Sequence, residues 1–360
     1  MPYDWERQRY QMSRPILVEA PLSRQPTESL RMHVRPTLIL IAGLAVVPAC
    51  STWDSYPVVE EIPADFDENR VLVRPVTQSG DTLVFYTDTG GGMNMLYAPA
   101  ADRLGVQRIQ VVLDTDTMFT AEWPTWSSGQ GIPTPRDTTG PFGSRLLIIP
   151  FGPEAARVHD STDAGFLGRL WFADRVWTFD YPARRLLLHS AASPRRPESA
   201  KSVVLGFQLD SAGHRTTHFP RIGIEVDGDS LDLLFDTGAT TDLTDSALAV
   251  IGDNRPGRRA GSFISGAVFD RWRTENPQWQ VIERATESGA DLIEVPEVVI
   301  AGQRVGPVWF ERRSVGTFED YMSRWMDQPI VGALGGNALG FFRVTIDYPN
   351  ALAVFVRPTS

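Results

Sequence analysis

Apolar residues along this chain come in short runs of Val, Ile, Leu and Phe, broken every few residues by Gly, Pro, Asp or Asn. Runs of that length and composition predict strands joined by turns, and hence a mainly β fold. Leu83-Val84-Phe85-Tyr86-Thr87 and Leu231-Asp232-Leu233-Leu234-Phe235 are two of them, and each runs into Asp-Thr-Gly. Val344, Thr345, Ile346 and Asp347 alternate as a half-buried strand does, and Tyr348-Pro349 then turns the chain. Two stretches predict short helices instead. Residues 98–105 carry Pro99 in the first turn, and residues 244–252 carry Thr244 as an N-cap. Gly105 and Gly252 suit the position past each helix end.

These elements recur. Asp88-Thr89-Gly90 returns 148 residues later as Asp236-Thr237-Gly238. Each copy is followed by one of the two predicted helices, which are therefore expected to be counterparts. Phe166-Leu167-Gly168 is matched by Ala333-Leu334-Gly335, and Asp180-Tyr181-Pro182 by Asp347-Tyr348-Pro349, 167 residues apart. An internal repeat of this size predicts two homologous β-barrel-like lobes with a cleft between them. The expected lobes are 66–192 and 202–358, joined by a polar, proline-containing linker at 193–201. The second lobe holds 19 more residues between the two landmarks, expected within the Arg- and Trp-rich stretch 253–289.

Composition narrows the chemistry. The 360 residues hold two full cores by length. The formal charge is −10, which disfavours nucleic acid as a partner. Lys201 is the only lysine and follows alanine, so there is no P-loop. Cys50 is the only cysteine, which excludes an intrachain disulfide and a multi-cysteine zinc site.

Residues 38–49 are apolar and uncharged, too short for a spanning helix but the right length for the core of a secretory signal. Val47-Pro48-Ala49-Cys50 at its end resembles the lipobox of bacterial lipoproteins. That resemblance implies removal of 1–49, lipidation of Cys50 and an extracytoplasmic, membrane-anchored protein of the bacterial cell envelope. The polar stretch before Met32 is unlike a signal, so translation is expected to start at Met32. Residues 50–65 read as a tether.

One Asp-Thr-Gly is a common turn. Two copies, each after an apolar strand, place two carboxylates near buried surface, where a lone charge is expensive. In this arrangement the chain resembles the aspartic proteases, pepsin-like and retropepsin-like, over about 290 residues. The resemblance implies a single-chain tandem of retropepsin-like lobes and a peptide-hydrolysing site with Asp88 and Asp236 as its catalytic dyad. Thr89 and Thr237 then lock the two turns together, and Gly90 and Gly238 present N–H groups to the carboxylates. It implies a peptide or protein substrate, no cofactor, no metal and a monomer. Where many members carry Ser or Thr after the glycine, this chain has Gly91 and Ala239. Residues 119–131 and 263–272 are the candidates for the flap, the hairpin that closes over substrate; their Trp123, Trp126 and Trp272 suit packing better than substrate contact.

Three alternatives remain beside this reading. One is a catalytically inert peptide-binding or scaffold lipoprotein. Another is a protein in which only the second lobe is competent and pairs with another copy. The third is a duplicated β-domain whose Asp-Thr-Gly segments are merely turns. His214 and His218, four apart, are weak metal candidates in a β-leaning segment, with His159 and His189 the other histidines after Cys50. Asp114-Thr115-Asp116 lacks the glycine and distal glutamate of a calcium loop. No Gly-x-Ser-x-Gly elbow is present.

Overall fold

The computed structural model describes residues 58–113, 116–138, 140, 142–152, 162–189 and 200–358. Cys50, the signal-like segment and most of the expected linker lie outside them. The described chain is mainly β, as its short apolar runs predict, and is built from three sheets and one two-stranded pair.

The first half forms an eight-stranded sheet and the second a nine-stranded one. At the centre of each, the same four strands stand side by side. Phe85–Thr87 runs parallel to Gly165–Leu167, which pairs antiparallel with Met95–Tyr97, itself parallel to Leu146–Ile149. In the second half Asp229–Phe235, Gly332–Leu334, Ser262–Ser265 and Val308–Arg313 repeat that order and those directions.

A six-stranded sheet joins the halves, three strands from each. Its middle pair is Val176–Asp180 against Arg343–Asp347, with Thr178 opposite Thr345. The two hydroxyls lie 2.6 Å apart, and His189 Nε2 lies 2.8 Å from the Thr178 hydroxyl. All three side chains are buried, so this polar chain sits where the halves meet.

The expected tether at 50–65 needs correction. Val58–Ile62 is an edge strand of the joining sheet, paired with Arg185–His189. Ala64–Asp67 pairs with Arg70–Val73. Pro63 follows the strand rather than forbidding it, because an edge strand tolerates proline at its end. Lys201, given to the linker, opens the strand Lys201–Val204, which pairs with Leu352–Val356.

Both predicted helices form. Ala98–Leu104 has proline in its first turn and ends on Gly105 at φ 60°. Asp245–Ile251 is capped by the Thr244 hydroxyl, which accepts from the Ala247 N–H, and ends on Gly252 at φ 65°. They are not counterparts, however. Ala98–Leu104 follows Met95–Tyr97 directly, and the equivalent strand Ser262–Ser265 runs directly into a different helix, Gly266–Glu275. Met95 and Phe263 take equivalent registers, opposite Phe166 and Ala333. Met95 comes five residues after Gly90, but Phe263 comes twenty-five after Gly238. The extra residues therefore lie mainly between the second motif and Ser262, upstream of most of the stretch expected from sequence. They hold the strand pair Thr240–Asp242 and Arg258–Ala260 with Asp245–Ile251 between them. Both helices have good caps, and caps say nothing of which strand comes before. That is why the sequence pattern aligned the wrong pair.

This insertion clamps the edge hairpin of its own half. Thr244 N–H donates to Ala285 O at 2.9 Å and Glu287 N–H to Asp242 O at 2.9 Å. Leu243, Ala247, Ile282, Ala285 and Leu292 close an apolar cluster beneath.

Replacing Thr178 by Val leaves the buried Thr345 hydroxyl without this partner. Denaturant unfolding is expected to show a loss of about 1–3 kcal/mol. The double change with Thr345→Val is expected to cost less than the two single changes added together.

Candidate active site

Each Asp-Thr-Gly begins where a buried strand ends. Asp88 N–H donates to Leu167 O at 2.9 Å, and Asp236 N–H to Leu334 O at 3.0 Å. The Leu-Gly elements noted in the sequence thus dock the two aspartates, each within its own half. The chain then turns tightly. Gly90 N–H donates to Asp88 Oδ1 at 2.7 Å and Gly238 N–H to Asp236 Oδ1 at 3.0 Å. These two bonds orient each carboxyl.

The two turns are bound to each other. Thr89 N–H donates to the Thr237 hydroxyl at 3.2 Å, and Thr237 N–H to the Thr89 hydroxyl at 3.0 Å. The Thr89 hydroxyl in turn donates to Phe235 O at 2.7 Å. Both threonines are fully buried. Each buried N–H therefore finds its acceptor in the other half.

The glycines are required by contact with the opposite carboxyl. A Cβ on Gly90 would lie 2.7 Å from Asp236 Cγ, and one on Gly238 would lie 2.3 Å from Asp88 Cγ. Each carboxyl therefore rests on the backbone of the other turn, which brings the two together. Asp88 is 7% exposed and Asp236 9%, so only a narrow face of each meets solvent.

Packing explains the missing hydroxyl of the first turn. A Cβ on Gly91 would lie 2.1 Å from the tip of the Phe166 ring. Ala239 is buried, and a Cβ on Gly335 would already come within 2.8 Å of its methyl. The first turn has no room for a side chain, and the second carries a buried methyl.

Tyr86, two residues before Asp88, was not singled out by the sequence. Its hydroxyl donates to Gly238 O and bonds the Thr240 hydroxyl, crossing from the first half to the second. Burial, then the charge of Asp88, push its phenol well above the ordinary tyrosine range, so it stays a donor. Its one sequence signal is a polar-tipped aromatic in an otherwise apolar strand. Asn94 and Ser262 were missed too. Asn94 Oδ1 accepts from Gly168 N–H and the Ser262 hydroxyl from Gly335 N–H, both at 3.0 Å, so they hold the two Leu-Gly elements.

Other candidates do not converge here. Neither flap candidate is a hairpin: 263–272 joins a central strand to the helix Gly266–Glu275, and 119–131 begins in the strand Asp116–Ala121 and leaves it. Between Met95–Tyr97 and Leu146–Ile149 the first half instead forms the antiparallel pair Ile109–Leu113 and Asp116–Ala121. Trp272 is core, and the Trp123 indole donates to Ser144 O. His214 is exposed near Asp210, whereas His218 is buried against Asp137 at 2.9 Å. His189 sits in the joining sheet; His159, Asp114 and Thr115 lie outside the described residues.

Neither known protein-family models nor curated protein sequences match this chain. Among solved structures it is similar to an aspartic proteinase from Irpex lacteus, with 12% identity and a TM-score of 0.43, over 83% of this chain and 97% of that one. It is also similar to conglutin gamma from lupine seeds, with 10% identity and a TM-score of 0.42, over 84% and 96%. Basic 7S globulin from soybean matches with 9% identity and a TM-score of 0.42, over 84% and 98%. At this identity and TM-score the likenesses carry no chemistry to this chain.

Gly91→Ser is expected to lose about 1–3 kcal/mol of stability from overpacking. Adding Phe166→Leu is expected to recover part of that loss, so that denaturant unfolding of the double variant shows less damage than the single losses predict. Simple addition of the two would mean that Phe166 is not what keeps residue 91 small.

Proposed function

We propose that this chain is an aspartic endopeptidase whose dyad is Asp88 and Asp236. The observation that carries the reading is the reciprocal Thr89–Thr237 exchange, which sets two carboxyls against each other's backbone. The mechanism that such a facing pair of carboxyls serves uses one ionised and one protonated member. The ionised member takes a proton from a water held between them. The protonated member polarises the scissile carbonyl, and the roles exchange as the amine leaves. A peptide lies extended between the halves, held by main-chain hydrogen bonds.

One observation favours a second reading, an inert peptide-binding or scaffold module: no hydroxyl follows either glycine, since Gly91 and Ala239 stand there. Cleavage of a diverse peptide mixture, scanned from pH 3 to 8, separates the two. The peptidase reading expects turnover that Asp88→Asn and Asp236→Asn each abolish. Peptide binding without turnover in folded protein supports the module instead. Full activity surviving Asp88→Asn would mean that second halves pair between copies.

We also propose a lipid anchor at Cys50 that holds the protein outside the cytoplasm. Among the described residues no helix is long and apolar enough to cross a membrane. Without residues 1–49 the chain carries a formal charge of −12, which anionic headgroups do not attract. Cys50→Ser is expected to move the protein from the membrane fraction to the soluble one, and unchanged retention would sink the anchor.

A further inference from the structure

The turn that carries Asp88 continues through Gly90, Gly91 and Gly92. Three glycines in a row have no side chain to anchor them and the most conformational freedom to lose. The second turn does not share this weakness. After Ala239 the chain enters the strand Thr240–Asp242, pinned by Arg258–Ala260. After Gly90 no strand begins until Met95.

Arg169 supplies the missing anchor. It follows Gly168 at the start of the short helix Arg169–Phe172. Its own N–H donates to Gly91 O at 3.0 Å, and its Nη1 donates to Gly92 O at 2.6 Å. Its guanidinium lies over the Phe219 ring, 4.2 Å from the centroid, and Phe219 belongs to the second half. The next residue back, His218, is bonded to Asp137 of the first half. Burial lowers the Arg169 guanidinium to about 10, and the charge of Asp137 acts against that cost. The corresponding residue of the second half is Gly336, where a Cβ would come within 2.4 Å of Asn69 O. Only the glycine-rich turn has such an arginine.

We propose that Arg169 is a positioning residue: it holds the glycine run in shape and so sets the Asp88 carboxyl against Asp236. The role rests on the peptidase reading above.

The test uses the full chain with Arg169→Met and Arg169→Lys, each checked for folding by circular dichroism. Steady-state cleavage and amide hydrogen exchange at residues 90–93 are measured on both, with Gly238 as internal reference. Arg169→Met is expected to lower kcat about 10–100-fold, the scale of a misplaced reacting group, with KM within about threefold. Exchange at Gly90 and Gly91 is expected to quicken at least about tenfold while Gly238 stays unchanged. Arg169→Lys keeps the charge and one donor, and recovers part of both. Wild-type kcat or unchanged exchange at Gly90 and Gly91 in a folded Met variant would overturn the proposal. If that variant does not fold, Arg169→Lys is read alone: an intermediate loss supports the role, and wild-type behaviour in both measurements rejects it. If the wild type cleaves nothing, the peptidase reading fails separately, and exchange alone decides whether Arg169 holds the turn.

Discussion

Two hydroxyls traded between the halves hold this site together. The N–H groups of Thr89 and Thr237 are buried, and a buried N–H without an acceptor costs free energy comparable to a lost hydrogen bond. Neither half supplies that acceptor in its own turn; each takes the threonine hydroxyl of the other. The pairing of the two turns and the glycines that rest on the opposite carboxyls go with that mutual dependence. A single half folded alone would present an unsatisfied turn and a lone, partly buried carboxylate.

The four central strands of each half are duplicated in order and direction, but their side chains have diverged in a compensating way. Phe166 in the first half corresponds by register to Ala333 in the second, and Tyr86 corresponds to Leu234. Large rings fill the first face from its own strands, with Leu72, Tyr86 and Phe166 in one cluster. The smaller residues of the second face leave room that Phe318, Met326 and Ile330 fill from a separate segment. The insertion adds to this asymmetry by pinning the hairpin of the second half. Close-packed interiors require some such exchange of volume whenever a duplicated core drifts.

Much was legible without coordinates. Short apolar runs and turn residues signalled a β fold, and both helices appeared between the caps that Pro99, Thr244, Gly105 and Gly252 suggest. The tandem Asp-Thr-Gly motifs and the Leu-Gly elements that dock them were visible as a repeat. The correspondence of the two helices was not, because local capping carries no record of strand order. Nor was the strand Val58–Ile62, whose flanking prolines imitate a tether.

The amino-acid sequence alone therefore determined the β character, the two capped helices, the duplication and the pair of aspartates, since these depend on local patterning and on short motifs. Only the tertiary structure decided how those aspartates are held. Tyr86 reaches Gly238 across 152 positions of chain, and Arg169 reaches back 77 to Gly92. The ring of Phe166 decides that residue 91 has no side chain, a fact that looks like a lost hydroxyl when the motif is read by itself. Contacts between residues so far apart depend on how sheets pack, and no periodicity or spacing along the chain encodes which side chains will meet.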